Sequence, residues 1–135
     1  MRAAKLLRKV TKLNLSVNKF YVLGDAALVL YGVKEKSDDI NLCISVSLYN
    51  TLKTQGRIDL CAKDKKGFYK LDDKSNVRVT TKYKKDFNCV KVGDLYLEDI
   101  RKIYEFKKSK NKKKNKADVE AIERFLKENP NYPKF

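Results

Sequence analysis

The sequence predicts an α/β fold in its α+β form, a small mixed β-sheet flanked by helices, as one domain over residues 1–135. Three observations predict it. An amphipathic first segment leads into a strand–helix–strand opening. The middle of the chain breaks into short apolar or alternating segments between polar turns. The last third returns to helical spacing over 97–128. A chain of 135 residues is one domain's worth and leaves no room for a second core.

Taken in order, residues 2–17 place Leu6, Leu7, Val10, Leu13 and Val17 at helical spacing. Phe20-Tyr21-Val22-Leu23 is a short apolar run that Gly24 ends, a buried strand. Ala26 to Tyr31 favours helix, closed by Gly32 as its C-cap. In Ile40-Asn41-Leu42-Cys43-Ile44-Ser45 the period of two sends Ile40, Leu42 and Ile44 one way and Asp39, Asn41 and Cys43 the other. A helix is expected over 46–55, with Val46, Leu48, Tyr49 and Leu52 as its apolar face. Strands are expected near 57–62, 67–71, 77–83 and 90–92, separated by turn residues. Two helices close the chain. The first runs from Leu97 to Lys108, with Leu97, Ile100, Ile103, Tyr104 and Lys107 on one face; the second covers 117–128, with Asn129-Pro130 as its stop. A lysine-rich break separates them.

Composition excludes several chemistries. The chain has no histidine, which removes Ser-His-Asp and Cys-His nucleophilic sites and histidine base catalysis. Cys43, Cys61 and Cys89 lie far apart with no CxxC, so they read as small buried thiols rather than zinc ligands or disulfides. Reduced thiols imply the cytoplasm. No run approaches the length of a membrane span, and Arg8, Lys9 and Lys12 interrupt any signal-peptide core. Any catalysis rests on carboxylates, lysines and a hard cation such as Mg²⁺ or Mn²⁺.

The net charge of +15 supports two readings. One is a surface for a polyanion. The other is base composition: 26 Lys and 10 Asn against 6 Arg is what an AT-rich genome writes at tolerant surface positions. The densest run, Lys107 to Lys116, is either a solvated loop or a patch that tracks nucleic-acid phosphates without sequence preference through Lys110, Lys112, Lys113 and Lys114. Tyr49, Tyr69, Tyr83 and Tyr104 offer rings for stacking, yet each sits at apolar spacing and fits core or rim packing.

The segment Val22-Leu23-Gly24-Asp25-Ala26-Ala27-Leu28-Val29-Leu30-Tyr31-Gly32, followed by Ser37-Asp38-Asp39-Ile40-Asn41-Leu42, carries the chemistry. A glycine turn feeding a helix N-terminus brings backbone N–H groups to an anion. Oxygen ligands at i and i+2 on a strand share one face and one cation. The segment resembles the signature of the minimal nucleotidyltransferase families, some of them toxins and antitoxins. In those, a Gly-Gly-Ser/Thr-Ala turn precedes Thr-x-Asp-Ile-Asp-Leu on the next strand. The stretches Leu97-Glu98-Asp99-Ile100 and Asn115-Lys116-Ala117-Asp118-Val119 resemble the tail of the same group.

The resemblance implies Mg²⁺ and an NTP as cofactors, Asp39 and Asn41 as metal ligands, and Gly24, Asp25 and Ala26 at the phosphates. The chain departs from the pattern where chemistry needs it. Asp25 replaces the second glycine and sets a negative charge at the triphosphate. Ala26 lacks the hydroxyl. Asn41 is neutral where the family has its second carboxylate. Val77-Arg78-Val79-Thr80, where the third would fall, has none, and Asp59 is the substitute. Taken alone, Asp-x-Asn is also what a solvated boundary between loop and strand looks like. Three readings follow: an enzyme that transfers a nucleoside monophosphate to RNA or protein, using Asp39, Asn41 and Asp59; a degenerate nucleotidyltransferase that binds nucleic acid or a partner protein; and a basic interaction protein of other descent.

Overall fold

The structure is a computed structural model, and it describes all residues except 59–62, 65, 73–75, 83–88, 111 and 134–135. Among the described residues, five α-helices pack on a six-stranded mixed sheet, so the α/β expectation holds. The elements are α1 (Ala3–Lys12), β1 (Phe20–Val22), α2 (Gly24–Tyr31), β2 (Ile40–Ile44), α3 (Val46–Thr54), β3 (Tyr69–Lys70), β4 (Val77–Thr80), β5 (Cys89–Val92), β6 (Leu95–Glu98), α4 (Ile100–Lys110) and α5 (Lys113–Glu128). The sheet order is β3-β4-β2-β1-β6-β5. β1 lies antiparallel to β2 and parallel to β6; β2 lies parallel to β4.

Strand alternation builds the core. Phe20, Val22, Ile40, Leu42, Ile44, Val77, Val79 and Leu97 are buried in one cluster. Leu6 and Val10 of α1, Ala27 and Leu28 of α2, Leu48 and Leu52 of α3, Ile100 and Ile103 of α4 and Ile122 of α5 join that cluster. Burying one such aliphatic side chain stabilises the fold by about 1.5–3 kcal/mol. The opposite face of the sheet carries Tyr21, Asn41, Cys43, Arg78, Thr80 and Glu98, set side by side by the registers Tyr21↔Cys43, Asn41↔Arg78 and Cys43↔Thr80.

Several boundaries differ from expectation, each for a local reason. The first helix stops at Lys12, because Asn14 takes a positive φ of 55°; Val17 then falls in a short 3₁₀ turn and is exposed. Val46 opens α3 and points outward, while the Ser45 side chain caps the helix by accepting from the Leu48 N–H at 3.1 Å. Leu97 does not begin a helix. It is the inward residue of β6, opposite Val22, and the turn at Gly93 (φ 60°) pairs β6 with β5. Asp99 then ends the strand and accepts from the Arg101 N–H at 3.0 Å, starting α4. The last helix begins at Lys113 rather than 117. The described residues of the lysine run are therefore mostly helical instead of a loop, with Lys107–Lys110 in α4 and Lys113–Lys116 in α5.

Cys43 is buried, and burial pushes its thiol up to about 11. Cys89 is only half-buried, which corrects the expectation of a buried thiol there; Cys61 lies outside the described residues. Tyr49 and Tyr69 pack on each other at 5.7 Å between ring centroids, and both pack with Tyr104 against the core. Tyr83 lies outside the described residues. No helix among the described residues is long and apolar enough to cross a membrane.

Candidate functional site

The residues singled out by the motif meet at one end of the sheet. β1 and β6 finish there, and β2 and β4 start there. The Leu23 N–H donates to the Asn41 carbonyl at 2.9 Å, tying the glycine turn to β2. Gly24 follows with φ 52°, a left-handed conformation that favours glycine. A cavity of about 160 Å³ opens beside it, lined by Leu23, Asp25, Ala26, Ser37, Asp38, Asp39 and Asn41. Asp39 is exposed just before β2, and its carbonyl accepts from Ser37 Oγ at 2.9 Å. Asn41 projects from the strand face opposite the core. Its Oδ1 is buried with no hydrogen-bond partner among the described residues. Such an atom lacks the compensation that burial of a polar group ordinarily requires.

Two features change what the motif implied. The first is at Gly24, whose N–H donates to Glu98 Oε1 at 2.9 Å. A side-chain carboxylate thus sits on the backbone donor that the resemblance assigned to a phosphate. Burial pushes the Glu98 carboxyl above its usual range; the Gly24 N–H opposes that rise, and the nearby Asp99 charge adds to it. The second is at Asp25, whose charge is not left facing an incoming anion. Lys107 Nζ donates to Asp25 Oδ1 at 2.8 Å, and Lys34 Nζ lies 3.4 Å from Oδ2. Both lysines also reach Asp118, at 2.9 and 3.2 Å. Burial raises the Asp25 carboxyl, but the hydrogen bond and charge of Lys107, with those of Lys34, outweigh it and hold the group below the usual carboxylate range. Burial likewise lowers Lys107, which its two aspartates more than reverse.

Ala26 is buried and belongs to the core as well as to the cavity wall. Arg78 stands in register beside Asn41, so the neighbouring strand offers a cation where a third carboxylate was sought; its guanidinium lies 3.9 Å from Asp64. Asp59 lies outside the described residues. Of the four lysines proposed from sequence for nucleic acid, Lys112 and Lys113 line a cleft between α4 and α5, whereas Lys110 and Lys114 are not among its lining residues. Sequence reasoning missed Glu98, Lys34 and Lys107 as parts of this region. The one available signal was the alternation of Leu95-Tyr96-Leu97-Glu98, which puts Glu98 on the same sheet face as Asn41.

No protein-family model matches the chain, and no curated protein sequence matches it significantly. Among solved structures, the crystal structure of JHP933 from Helicobacter pylori matches at 18% identity with a TM-score of 0.49, over 78% of this chain and 54% of that one. The chain thus spans about half the length of that protein.

Proposed function

We propose that this chain is a degenerate nucleotidyltransferase-type domain that works by binding, as a module for nucleic acid or a partner protein, and not by transferring nucleotides. The observation that carries the reading is the Glu98 carboxylate on the Gly24 N–H. A triphosphate would meet a negative charge at its own donor, and phosphoryl transfer depends on donors and cations preorganised for developing negative charge. Arg78 beside Asn41 supports the same reading, because it leaves the acidic set one member short.

A second reading, retained transfer, is favoured by the unpartnered Asn41 Oδ1 beside Asp39. A cation would satisfy that oxygen. Asp39 and Asn41 would then hold one Mg²⁺ with a carboxylate and an amide oxygen. Among the described residues no group of three or more acidic, cysteine or histidine side chains converges on a metal position. When bound, Mg²⁺ would neutralise the phosphates of an NTP.

Labelled NTPs incubated with Mg²⁺ or Mn²⁺, cellular RNA and lysate protein separate the two readings. Labelling at background is expected. Robust labelling that disappears in Asp39→Ala would overturn the binding reading. Glu98→Ala combined with Asn41→Asp should tighten ATP binding over the native chain, since it frees the Gly24 donor and restores the acidic pair. Asp25 is left intact in that variant because it holds Lys107.

A further inference from the structure

α4 and α5 form a helical hairpin around a cleft of about 420 Å³. Lys107, Lys108, Lys112, Lys113 and Lys116 line it, and Val119 adds an apolar wall. Lys107 is committed to Asp25 and Asp118. The other four are exposed. Among the described residues, none of these four is within ion-pair distance of a carboxylate. The cleft also contains Glu120 and Glu123. Glu123 accepts from the Tyr104 hydroxyl at 3.3 Å, and Lys108 donates to the same hydroxyl at 3.2 Å.

This charge is arranged against the preferences of the fold. Lys112 is the N-cap of α5, with no side-chain cap, and the first turn of the helix holds no acidic residue. Lys113, Lys114 and Lys116 crowd the positive end of the helix dipole, where anions are favoured and cations are not. Across the hairpin, the last turn of α4 is basic as well; that suits its own dipole but adds positive charge to the same cleft. A sequence that violates a local rule without a compensating contact marks a functional surface more often than a structural one. A polyanion in the cleft offsets the crowded lysines and meets the uncapped end of α5.

We infer that the α4–α5 cleft binds a nucleic-acid phosphate backbone without sequence preference, through Lys108, Lys112, Lys113 and Lys116. This names the ligand of the binding module proposed above and rests on that reading. Lys107 lines the cleft and bonds Asp25 in the wall of the sheet-end cavity, so the backbone runs beside that cavity. The set differs from the one read in sequence. Lys110 lies over the Phe106 ring at 5.2 Å, and neither it nor Lys114 lines the cleft.

The experiment titrates the full chain against labelled single-stranded RNA and duplex DNA across a salt series. It compares Lys112→Gln/Lys113→Gln/Lys116→Gln with an equal charge loss on α1 and α3, Lys5→Gln/Lys12→Gln/Lys53→Gln. Each phosphate contact contributes about 0.7 (single strand) or 0.9 (duplex) to the slope of log affinity against log salt. The cleft variant should therefore lose about 2–3 units of slope and the control close to none, and neither should melt below the native chain. Equal slopes in the two variants would overturn the inference, as would a native chain that binds phosphatidylserine vesicles but not nucleic acid, or neither. Labelling by NTPs reports on the nucleotidyltransferase reading and the slope on the cleft, so either can fail alone.

Discussion

Glu98 shows how a single carboxylate sets the character of this site. It is half-buried, it accepts the Gly24 N–H, and burial with the Asp99 charge raises its carboxyl above the ordinary range. Between the unfolded and the folded pKa, the folded chain therefore holds a proton there that the unfolded chain has already released. Stability linked to protonated Glu98 is fully present below the unfolded pKa and is lost as pH rises through the folded one. Glu98→Gln keeps an acceptor for Gly24 and removes the titration. Its melting temperature should exceed that of the native chain at neutral pH and converge with it in acid; a difference constant with pH would contradict this. The motif residues were legible because Asp39 and Asn41 obey the period of a strand, and the cavity gathers both. Glu98 was not, because its partner lies 74 residues away. Asp25 was found, but its surroundings were misjudged: Lys107 is 82 residues distant, and no local pattern announces that pairing.

At the scale of elements, periodicity located most pieces and misplaced a junction. Leu97 and Ile100 are both buried and three residues apart, which mimics one helix face. In fact a strand ends and a helix begins between them, each contributing one inward residue. The lysine run misled differently. Charge density looks like loop because it lacks apolar spacing, yet α5 starts inside it and is anchored further on by Ile122. That anchoring permits a poor N-terminus. Lys112→Asp supplies both a side-chain acceptor for the first turn and a negative charge at the dipole. Together these should add about 1 kcal/mol, or roughly 4 °C in melting temperature for a chain of this size. The same variant should weaken nucleic-acid binding. Thermal melts and the salt titration on one preparation measure both; a variant that melts lower would mean that α5 does not begin at this residue.

Across the whole molecule, distant segments converge on the β6–α4 junction, and the C-terminal end of the chain is one of them. The Tyr132 hydroxyl donates to Asp99 Oδ1 at 2.9 Å, accepts from the Ile100 N–H at 3.0 Å, and lies 3.2 Å from the Tyr31 hydroxyl. Tyr31, at the end of α2, donates to the Glu98 carbonyl at 2.8 Å. Phe125 of α5 closes the group, with its ring centroid 5.7 Å from that of Tyr31 and 6.1 Å from that of Tyr132. This network joins α2, β6, α4, α5 and the C-terminal segment, and it abuts the residue that occupies the Gly24 donor. Pattern reading could not assemble it, because sheet order and the return of the C-terminus are properties of the packed chain rather than of any window of sequence. Tyr132→Phe keeps the ring packing and removes the hydroxyl, leaving the Ile100 N–H and Asp99 each short of a partner. A loss of about 1–2 kcal/mol is expected. Tyr31→Phe removes the donor to the Glu98 carbonyl and should cost a similar amount. Because the two hydroxyls share one network, the double variant should lose less than the sum of the singles, by about 0.5 kcal/mol or more. Urea unfolding of the four proteins at one pH closes this cycle. Strict additivity would show that the C-terminal segment and α2 are held independently, and that the β6–α4 junction is not their common anchor.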